Sequence, residues 1–161
     1  MNDKKLLALL ENNACSSKSE LAAQLKCTEA EVCDAIARLE KDNVILGYTT
    51  MIDWDKTNRD SITAMIELRI SPTRGEGFDK VARRVAKYPQ VKSVSLMSGT
   101  YDILLSIEGK TLQEVALFVS QKLATMDGVL STATHFVLKK YKDKGISYDV
   151  AEGDMRSLFN I

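Results

Sequence analysis

The sequence predicts an α+β protein built from two structural units, and three observations support this prediction. Residues 1–60 contain three short amphipathic helix patterns followed by a β-rich stretch. Residues 61–142 instead combine four strand patterns with two helix patterns. The chain has 161 residues, of which 45% are hydrophobic, and this is enough to bury a core in one domain or in two small ones.

The first unit opens with a short helix pattern and a capped second one. Leucines at three- and four-residue spacing give the first pattern its apolar face, at Leu6, Leu7 and Leu10. Ser17 is expected to cap the second helix, because its hydroxyl can accept a hydrogen bond from the backbone three residues on while Glu20 reaches back. Two amphipathic helices are therefore predicted before residue 26.

A third helix is predicted directly after the second. Thr28 and Glu31 have the spacing of another capping box, and only Lys26 and Cys27 separate the two helix patterns. A turn that short forces the helices to cross steeply. This arrangement is typical of a helix-turn-helix.

A β-rich stretch and a polar stretch complete the first unit. The segment VILGYTTMID has β-branched and aromatic residues on both sides of Gly47, and this pattern predicts a strand pair or wing. Residues 1–53 are therefore expected to form a winged helix-turn-helix. The segment WDKTNRD, residues 54–60, is polar and has no period, so we expect a hinge there.

The second unit, residues 61–142, is predicted to have the order strand, helix, strand, strand, helix, strand. The segments in that order are SITAMIELRI, FDKVARRVAKY, VKSVSLMSG, YDILLSIEG, TLQEVALFVSQKLATM and VLSTATHFVLKKY. Residues 72–77 end the first strand, and Gly99-Thr100 is expected to be a tight hairpin turn. The order predicts a ferredoxin-like βαββαβ fold.

The expected packing of this unit predicts a dimer. Both helices should cover one face of the sheet, the second of them through Leu112, Val115, Phe118, Val119 and Leu123. The other face should then be apolar enough to need a partner. The tail, residues 143–161, ends in Leu158-Phe159 and is expected to be loose or to dock on a neighbouring subunit.

The residue types needed for metal binding or catalysis are scarce. Cys15, Cys27 and Cys33 lack CxxC spacing, and the only histidine, His135, is far from them in sequence, so buried thiols and no metal site are expected. We find no Ser/His/Asp set, glycine-rich phosphate loop or supported carboxylate pair, which predicts a protein without cofactor or enzymatic activity. No apolar run is long enough to span a bilayer, and we expect a cytoplasmic protein.

Three segments carry a family resemblance: RLEKDNVILGYT (38–49), SGTYDILLSIEG (98–109) and GVLSTATHFVLKKYKDKG (128–145). With these segments in this order, the chain resembles the Lrp/AsnC family, the feast/famine regulators, over essentially its whole length. The resemblance implies a sequence-specific DNA-binding transcription regulator that dimerises through its C-terminal sheets. It also implies assembly into tetramers, octamers or larger rings, and a small effector, usually an amino acid, bound between dimers.

The resemblance also implies where DNA and effector bind. The third helix would enter the major groove of double-stranded DNA, and the positions that match contacts are Ser17, Lys18, Thr28 and Arg38. Ser17 and Thr28 are also explained as helix caps alone. The effector would meet the turn between the second and third strands and two hydroxyls on the last strand, at Gly99, Thr100, Tyr101, Asp102, Thr132 and Thr134. These residues are equally typical of a hairpin and a strand.

The charge distribution departs from the family. Members usually have a pattern like RVRRLE at the end of the third helix, where this chain reads AIARLE. The net charge is zero, but residues 1–60 contain eight basic and eleven acidic residues, a net of −3, which leaves +3 for the remainder. An acidic DNA-binding unit gains little from counterion release. Weak DNA binding per subunit is therefore expected unless the DNA-binding units of several subunits act together.

Three functions therefore stay open at the level of the sequence. The first is a DNA-binding regulator, and the second is an effector-binding assembly module whose DNA role is altered or lost. The third is a tetrapyrrole decarboxylase, because such enzymes share the domain layout, and the single histidine argues against it. A basic run at residues 139–144 is either a nucleic-acid patch or, as we expect, a solvated strand end.

Overall fold

A computed structural model of the chain describes residues 2–57, 59, 61–71 and 77–148. Within it the chain divides into two compact units, residues 1–52 and 53–161. Most of the segment predicted to end the first strand of the second unit, residues 72–76, lies outside the described residues. The predicted Leu158-Phe159 end of the tail lies outside them as well.

The first unit contains the three predicted helices, with bounds α1 (Asp3–Asn12), α2 (Lys18–Leu25) and α3 (Glu29–Lys41). Both capping boxes are confirmed, at Ser17 with Glu20 and at Thr28 with Glu31. Lys26 ends α2 in the left-handed region, at φ 54°, and so makes the sharp turn toward α3. The helices share one core, formed by Leu6, Leu10, Leu21, Ala22, Val32, Ala35, Ile36 and Leu39.

The prediction of a strand pair after α3 is wrong. The backbone from Val44 to Asp53 forms no strand, and Leu46 is 87% exposed. A strand needs a neighbouring strand to pair with its amides and carbonyls, and the described part of this unit contains none. The segment is instead fastened to α3, since the amide of Val44 donates to the Leu39 carbonyl at 2.9 Å and the Tyr48 hydroxyl donates to Glu40 at 2.9 Å.

The second unit has the predicted strand and helix order. Its elements are β1 (Ile62–Ile70), α4 (Asp79–Val85), β2 (Val91–Leu96), β3 (Ile103–Gly109), α5 (Leu112–Phe118), β4 (Val129–Phe136) and the short hairpin of β5 (Lys142–Asp143) and β6 (Ile146–Ser147). Strands β1–β4 form one antiparallel sheet in the order β2-β3-β1-β4. The predicted ferredoxin-like βαββαβ fold is confirmed. A single 3-10 turn, Trp54–Lys56, lies in the predicted hinge.

Both helices pack on one face of the sheet, as predicted. Alternate residues of β1 form the buried centre of this face, namely Ala64, Ile66, Leu68 and Ile70. Val81 and Val85 of α4 and Val115 and Phe118 of α5 pack against them. The turn after α4 contacts α5, since the rings of Tyr88 and Phe118 meet edge to face with centroids 5.2 Å apart.

The end of α5 differs from a regular helix. Its last turn, Val119–Leu123, is a π-helix, closed by a hydrogen bond from the Ala124 amide to the Val119 carbonyl at 2.8 Å. The wider turn brings Leu123 fully into the core. Leu112, expected in the same core, is 55% exposed, because it lies at the first position of the helix.

The opposite face of the sheet is mixed, and the prediction that it is apolar is wrong. Met65 and Leu104 are half-buried there beside Glu67 and His135, which pair with them across the strands. His135 Nε2 lies 3.3 Å from Glu67 Oε1. The strand pattern alternates between the two faces as predicted, but its outer positions include both apolar and polar side chains.

The cysteines are also more exposed than predicted. Cys15 and Cys33 are exposed, and Cys27 is half-buried at the edge of the helix core, against which it packs. Within the described residues, no cluster of three His, Cys, Asp or Glu side chains has a metal-binding arrangement. No helix in that part of the chain is long and apolar enough to cross a membrane.

We expect Ile66→Ala to lower the free energy of unfolding of the second unit by about 2–5 kcal/mol, because Ile66 is fully buried at the centre of the sheet. Leu138→Ala is the matched control, since Leu138 is 96% exposed, and it should change stability by less than about 0.5 kcal/mol. Urea unfolding followed by circular dichroism measures both. Equal losses in the two variants would contradict this description of the core.

Candidate functional site

The helix starts at which DNA contacts are predicted are held by capping interactions. The Ser17 amide donates to Glu20 Oε2 at 2.8 Å, and the Thr28 amide does the same to Glu31 Oε2 at 2.8 Å. These backbone hydrogen bonds, together with the cap hydroxyls, hold the pKa of Glu20 and of Glu31 below its usual value. Lys18, the first residue of α2, is exposed.

Arg38 lies on the exposed side of α3 but has a partner within the chain. Its Nη2 atom lies 2.9 Å from both carboxylate oxygens of Asp3, the first residue of α1. The side chains of Arg38 and Asp3 are 52% and 37% exposed. The pair therefore joins two helices at the surface, where the guanidinium is accessible to solvent and also neutralised by a carboxylate.

The exposed surface of α3 is otherwise acidic near its beginning. Glu29, Glu31 and Asp34 are all exposed, while Val32 and Ile36 point into the core. The face of α3 available to a phosphate backbone therefore carries carboxylates in its first two turns. The basic residues of the helix, Arg38 and Lys41, are confined to its last turn.

The predicted effector turn is a six-residue loop, Met97–Asp102, and not a tight turn at Gly99-Thr100. Strands β2 and β3 pair as far as Leu96 and Ile103, and the Met97 amide donates to the Asp102 carbonyl at 2.8 Å. Gly99 has φ +149°, a value that favours glycine, and nothing lies within 4 Å of a side chain added there. The loop therefore has an open backbone at its tip.

Asp102 anchors this loop to the end of β1. Its carboxylate Oδ2 accepts a hydrogen bond from the Ile70 amide at 2.7 Å, and its own amide donates to the Leu68 carbonyl at 2.9 Å. The pairing of β1 with β4 shifts register at Arg69/Ile70, so the Ile70 amide is taken up by a side chain at this irregularity. Asp102 thus ties the loop to the backbone of β1, and among the described residues no donor contacts its second oxygen, Oδ1.

The two threonines lie on the other side of β1 from the loop. Thr132 pairs with Leu68 and Thr134 with Ile66 along β4, while the loop continues from β3. Strands β3 and β4 flank β1, so the threonines and Asp102 are separated by two strand spacings, roughly 10 Å. One chain therefore brings Gly99 to Asp102 together in a loop but does not bring Thr132 and Thr134 into contact with it.

Two residues at these sites were not singled out from the sequence. Arg69 Nε donates to the Thr100 carbonyl at 2.7 Å and so supports the loop from β1. The strand pattern SITAMIELRI offered one signal, an arginine near its end on the outer side of the sheet. Asp3 gave no comparable signal, because its partner Arg38 is 35 residues away.

A family model and several known proteins are similar to this chain. The family model described as the Lrp/AsnC ligand binding domain matches residues 63–146, just over half of the chain. The HTH-type transcriptional regulator YugG of Bacillus subtilis is 42% identical over 153 residues, which cover 94% of this chain and 92% of YugG. The HTH-type regulator PH0140 of Pyrococcus horikoshii is 30% identical and covers 82% of this chain and 81% of its own length.

A solved structure shows the same fold. The transcriptional regulator NMB0573 of Neisseria meningitidis, solved as its complex with L-Met, superposes with a TM-score of 0.70 at 22% identity, over 94% of this chain and 95% of that one. The family model and the relatives aligned over most of both chains agree with the architecture described above. The chain belongs to the Lrp/AsnC family of DNA-binding transcriptional regulators.

Proposed function

We propose that this chain is a sequence-specific transcription regulator whose assembly or DNA affinity is modulated by an amino acid. The observation that carries the DNA part is the capped helix pair, α2 and α3, joined by a sharp turn. In this arrangement Ser17, Lys18, Thr28 and Arg38 contact double-stranded DNA, with α3 in the major groove. Ser17 and Thr28 contact phosphate while they continue to cap their helices.

Arg38 reaches DNA only in competition with Asp3. A phosphate oxygen offers the guanidinium the same geometry as a carboxylate oxygen, and Asp3 holds Arg38 at 2.9 Å before DNA arrives. Because both side chains are partly exposed, the pair contributes modestly to stability, about 0.2–1 kcal/mol. Binding to phosphate therefore exchanges one ion pair for another.

We expect Asp3→Asn to strengthen DNA binding about two- to fivefold at low salt, because it releases Arg38 from the ion pair. Arg38→Gln should weaken binding and should abolish the effect of Asp3→Asn in the double variant. Asp42→Asn is the matched control, since it removes an equal charge at the end of α3 without releasing an arginine. Fluorescence anisotropy with duplex DNA from upstream of the gene measures the four variants and the wild type over a salt series.

Two outcomes would contradict this account at different levels. An equal gain in Asp42→Asn and Asp3→Asn would reduce the effect to net charge, and the specific competition at Arg38 would be lost. No binding by the wild-type chain at low salt, with or without amino acids, would remove the DNA-binding proposal itself.

The effector part of the proposal rests on the Met97–Asp102 loop. Asp102 is held in place by Ile70 and Leu68, and one of its carboxylate oxygens is left to accept a hydrogen bond from an ammonium group. Gly99, Thr100 and Tyr101 offer backbone groups at the loop tip to a carboxylate. The regulator NMB0573, which has the same fold, was solved with L-Met, and this supports an amino acid as ligand class.

Assembly is part of the proposal because one chain does not bring all the predicted effector-binding residues together. Thr132 and Thr134 are separated from the loop by strand β1, so a ligand of amino-acid size does not bridge them within one subunit. We infer a homodimer, and higher assemblies such as tetramers or octamers, in which a neighbouring chain completes the site. An effector bound there shifts the equilibrium between assemblies.

An amino-acid panel tests the effector proposal. At about a hundredfold excess over Kd, a true effector should raise Tm by about 5–10 °C, because it binds only the folded state. Asp102→Asn should abolish that rise while it preserves the fold, since the side-chain amide oxygen still accepts from Ile70. Asp102→Ala should instead lower the Tm of the free protein, because the Ile70 amide loses its acceptor.

The readouts separate binding from structure. Differential scanning fluorimetry gives Tm, and analytical ultracentrifugation of the same samples gives the assembly state. If no amino acid moves the Tm of the wild type, or if Asp102→Asn responds like the wild type, the assignment of the loop as effector site is wrong.

A second candidate function is an effector-binding assembly module with an altered or lost DNA role. The acidic exposed face of α3 and the internal pairing of Arg38 favour it. The salt series described above distinguishes the two candidates, because a lost DNA role predicts no binding at any salt concentration.

A further inference from the structure

The outer face of α4 and the turn that follows it carries a row of cations. At helical positions i, i+3, i+4 and i+7, and all exposed, are Lys80, Arg83, Arg84 and Lys87. Val81 and Val85 hold the opposite side of the helix in the core. We call the four side chains the α4 basic stripe.

Within the described residues, the charges of Arg83, Arg84 and Lys87 are poorly neutralised. Arg83 Nη2 lies 3.9 Å from Asp79 Oδ2, but the two side chains are 82% and 78% exposed, and such pairs contribute little. Within the described residues, Arg84 and Lys87 have no carboxylate at ion-pair distance. Residues 79–87 contain four cationic side chains and one carboxylate.

The composition of this face favours a polyanion over a protein partner. Apart from the stripe and Asp79, Ala86 is the remaining exposed residue of segment 79–87, so the segment offers no exposed aromatic or large apolar side chain. Protein interfaces have apolar or aromatic centres and are depleted in lysine. A row of cations on a helix is instead the electrostatic pattern of a phosphate-binding surface.

The length of the stripe matches a nucleic-acid backbone. From Lys80 to Lys87, along α4 and the turn that follows it, the row spans about 10 Å, which equals the rise of roughly three phosphates of one strand along the axis of B-DNA. Counterions released from those phosphates would supply affinity without reading sequence.

The helix-turn-helix lacks this source of affinity. Residues 1–60 have a net charge of −3, and Glu29 and Asp34 lie exposed on α3. We propose that the α4 basic stripe binds the phosphate backbone of double-stranded DNA and supplies electrostatic affinity that the acidic helix-turn-helix does not. This inference rests on the proposed DNA-binding function and adds a second contact surface, in the second unit.

The test neutralises the stripe in the full-length chain with Lys80→Gln, Arg83→Gln, Arg84→Gln and Lys87→Gln. A long mixed-sequence duplex is the probe, and fluorescence anisotropy gives the affinity over a salt series. We expect about tenfold or greater loss of affinity at low salt, and a decrease of about 2–3 in the slope of log K against log salt. Arg83→Gln with Arg84→Gln alone should give about half the loss of slope.

A second variant of equal charge change serves as control. It replaces four lysines of the basic run near the C-terminal hairpin with glutamine, at Lys139, Lys140, Lys142 and Lys144. This control should keep most of the wild-type slope. Thermal unfolding of the stripe variant should match the wild type, because the substituted side chains of α4 and the following turn are exposed.

The outcomes separate this inference from the proposed function. If the wild type binds and the stripe variant keeps its slope, the stripe is not a DNA contact and the proposed function stands. Equal losses in stripe and control variants would reduce the effect to net charge and would also overturn the inference. A changed sedimentation coefficient with an unchanged slope would assign the stripe to contact with a second copy, and a wild type that does not bind would remove both proposals.

Discussion

The buried side of strand β1 is the constraint on which the second unit depends. Ala64, Ile66 and Leu68 are completely buried, and both helices pack against this row. Because β1 also pairs along both edges, with β3 and with β4, its position determines where the remaining strands lie. The position of β1 also fixes the Met97–Asp102 loop, since Asp102 forms hydrogen bonds with the backbone of Leu68 and Ile70. The exposed loop is thus anchored to the strand at the centre of the buried core.

Sequence patterns predicted the features that depend on near neighbours in the chain. The capping boxes at Ser17 and Thr28 involve residues three apart, and the strand order follows from local alternation. The errors concern partners that are distant in sequence. Whether the segment after Val44 pairs as a strand depends on a second strand being present, and Arg38 meets Asp3 only after three helices have packed. The site residues were placed by resemblance, and only the fold showed that Asp102 and the threonines lie on opposite sides of β1.

Carboxylates in the first unit do more than add negative charge. Asp3, Glu20, Glu31 and Glu40 each accept hydrogen bonds from another part of the same unit. A charge count treats these four groups as free anions that repel DNA, but each is already oriented toward an internal donor. The acidic residues whose side chains face solvent on α3, Glu29 and Asp34, are the ones that oppose a phosphate backbone most directly. The electrostatic effect of the helix-turn-helix on DNA therefore depends more on a few exposed carboxylates than on the net charge of the unit.

The π-helical turn at Val119–Leu123 allows α5 to contain one more residue than a regular helix of the same packing. An unbroken α-helix continued from Val115 and Phe118 would turn Lys122 toward the sheet, and the additional residue in the wider turn places Leu123 there instead. The turn thus accommodates one surplus residue without changing which side chain fills the core. A chain shorter by one residue at Ser120 or Gln121 would present the same leucine inward from a regular helix. The helix can therefore lose one residue at this point while the side chains that it places in the core stay the same.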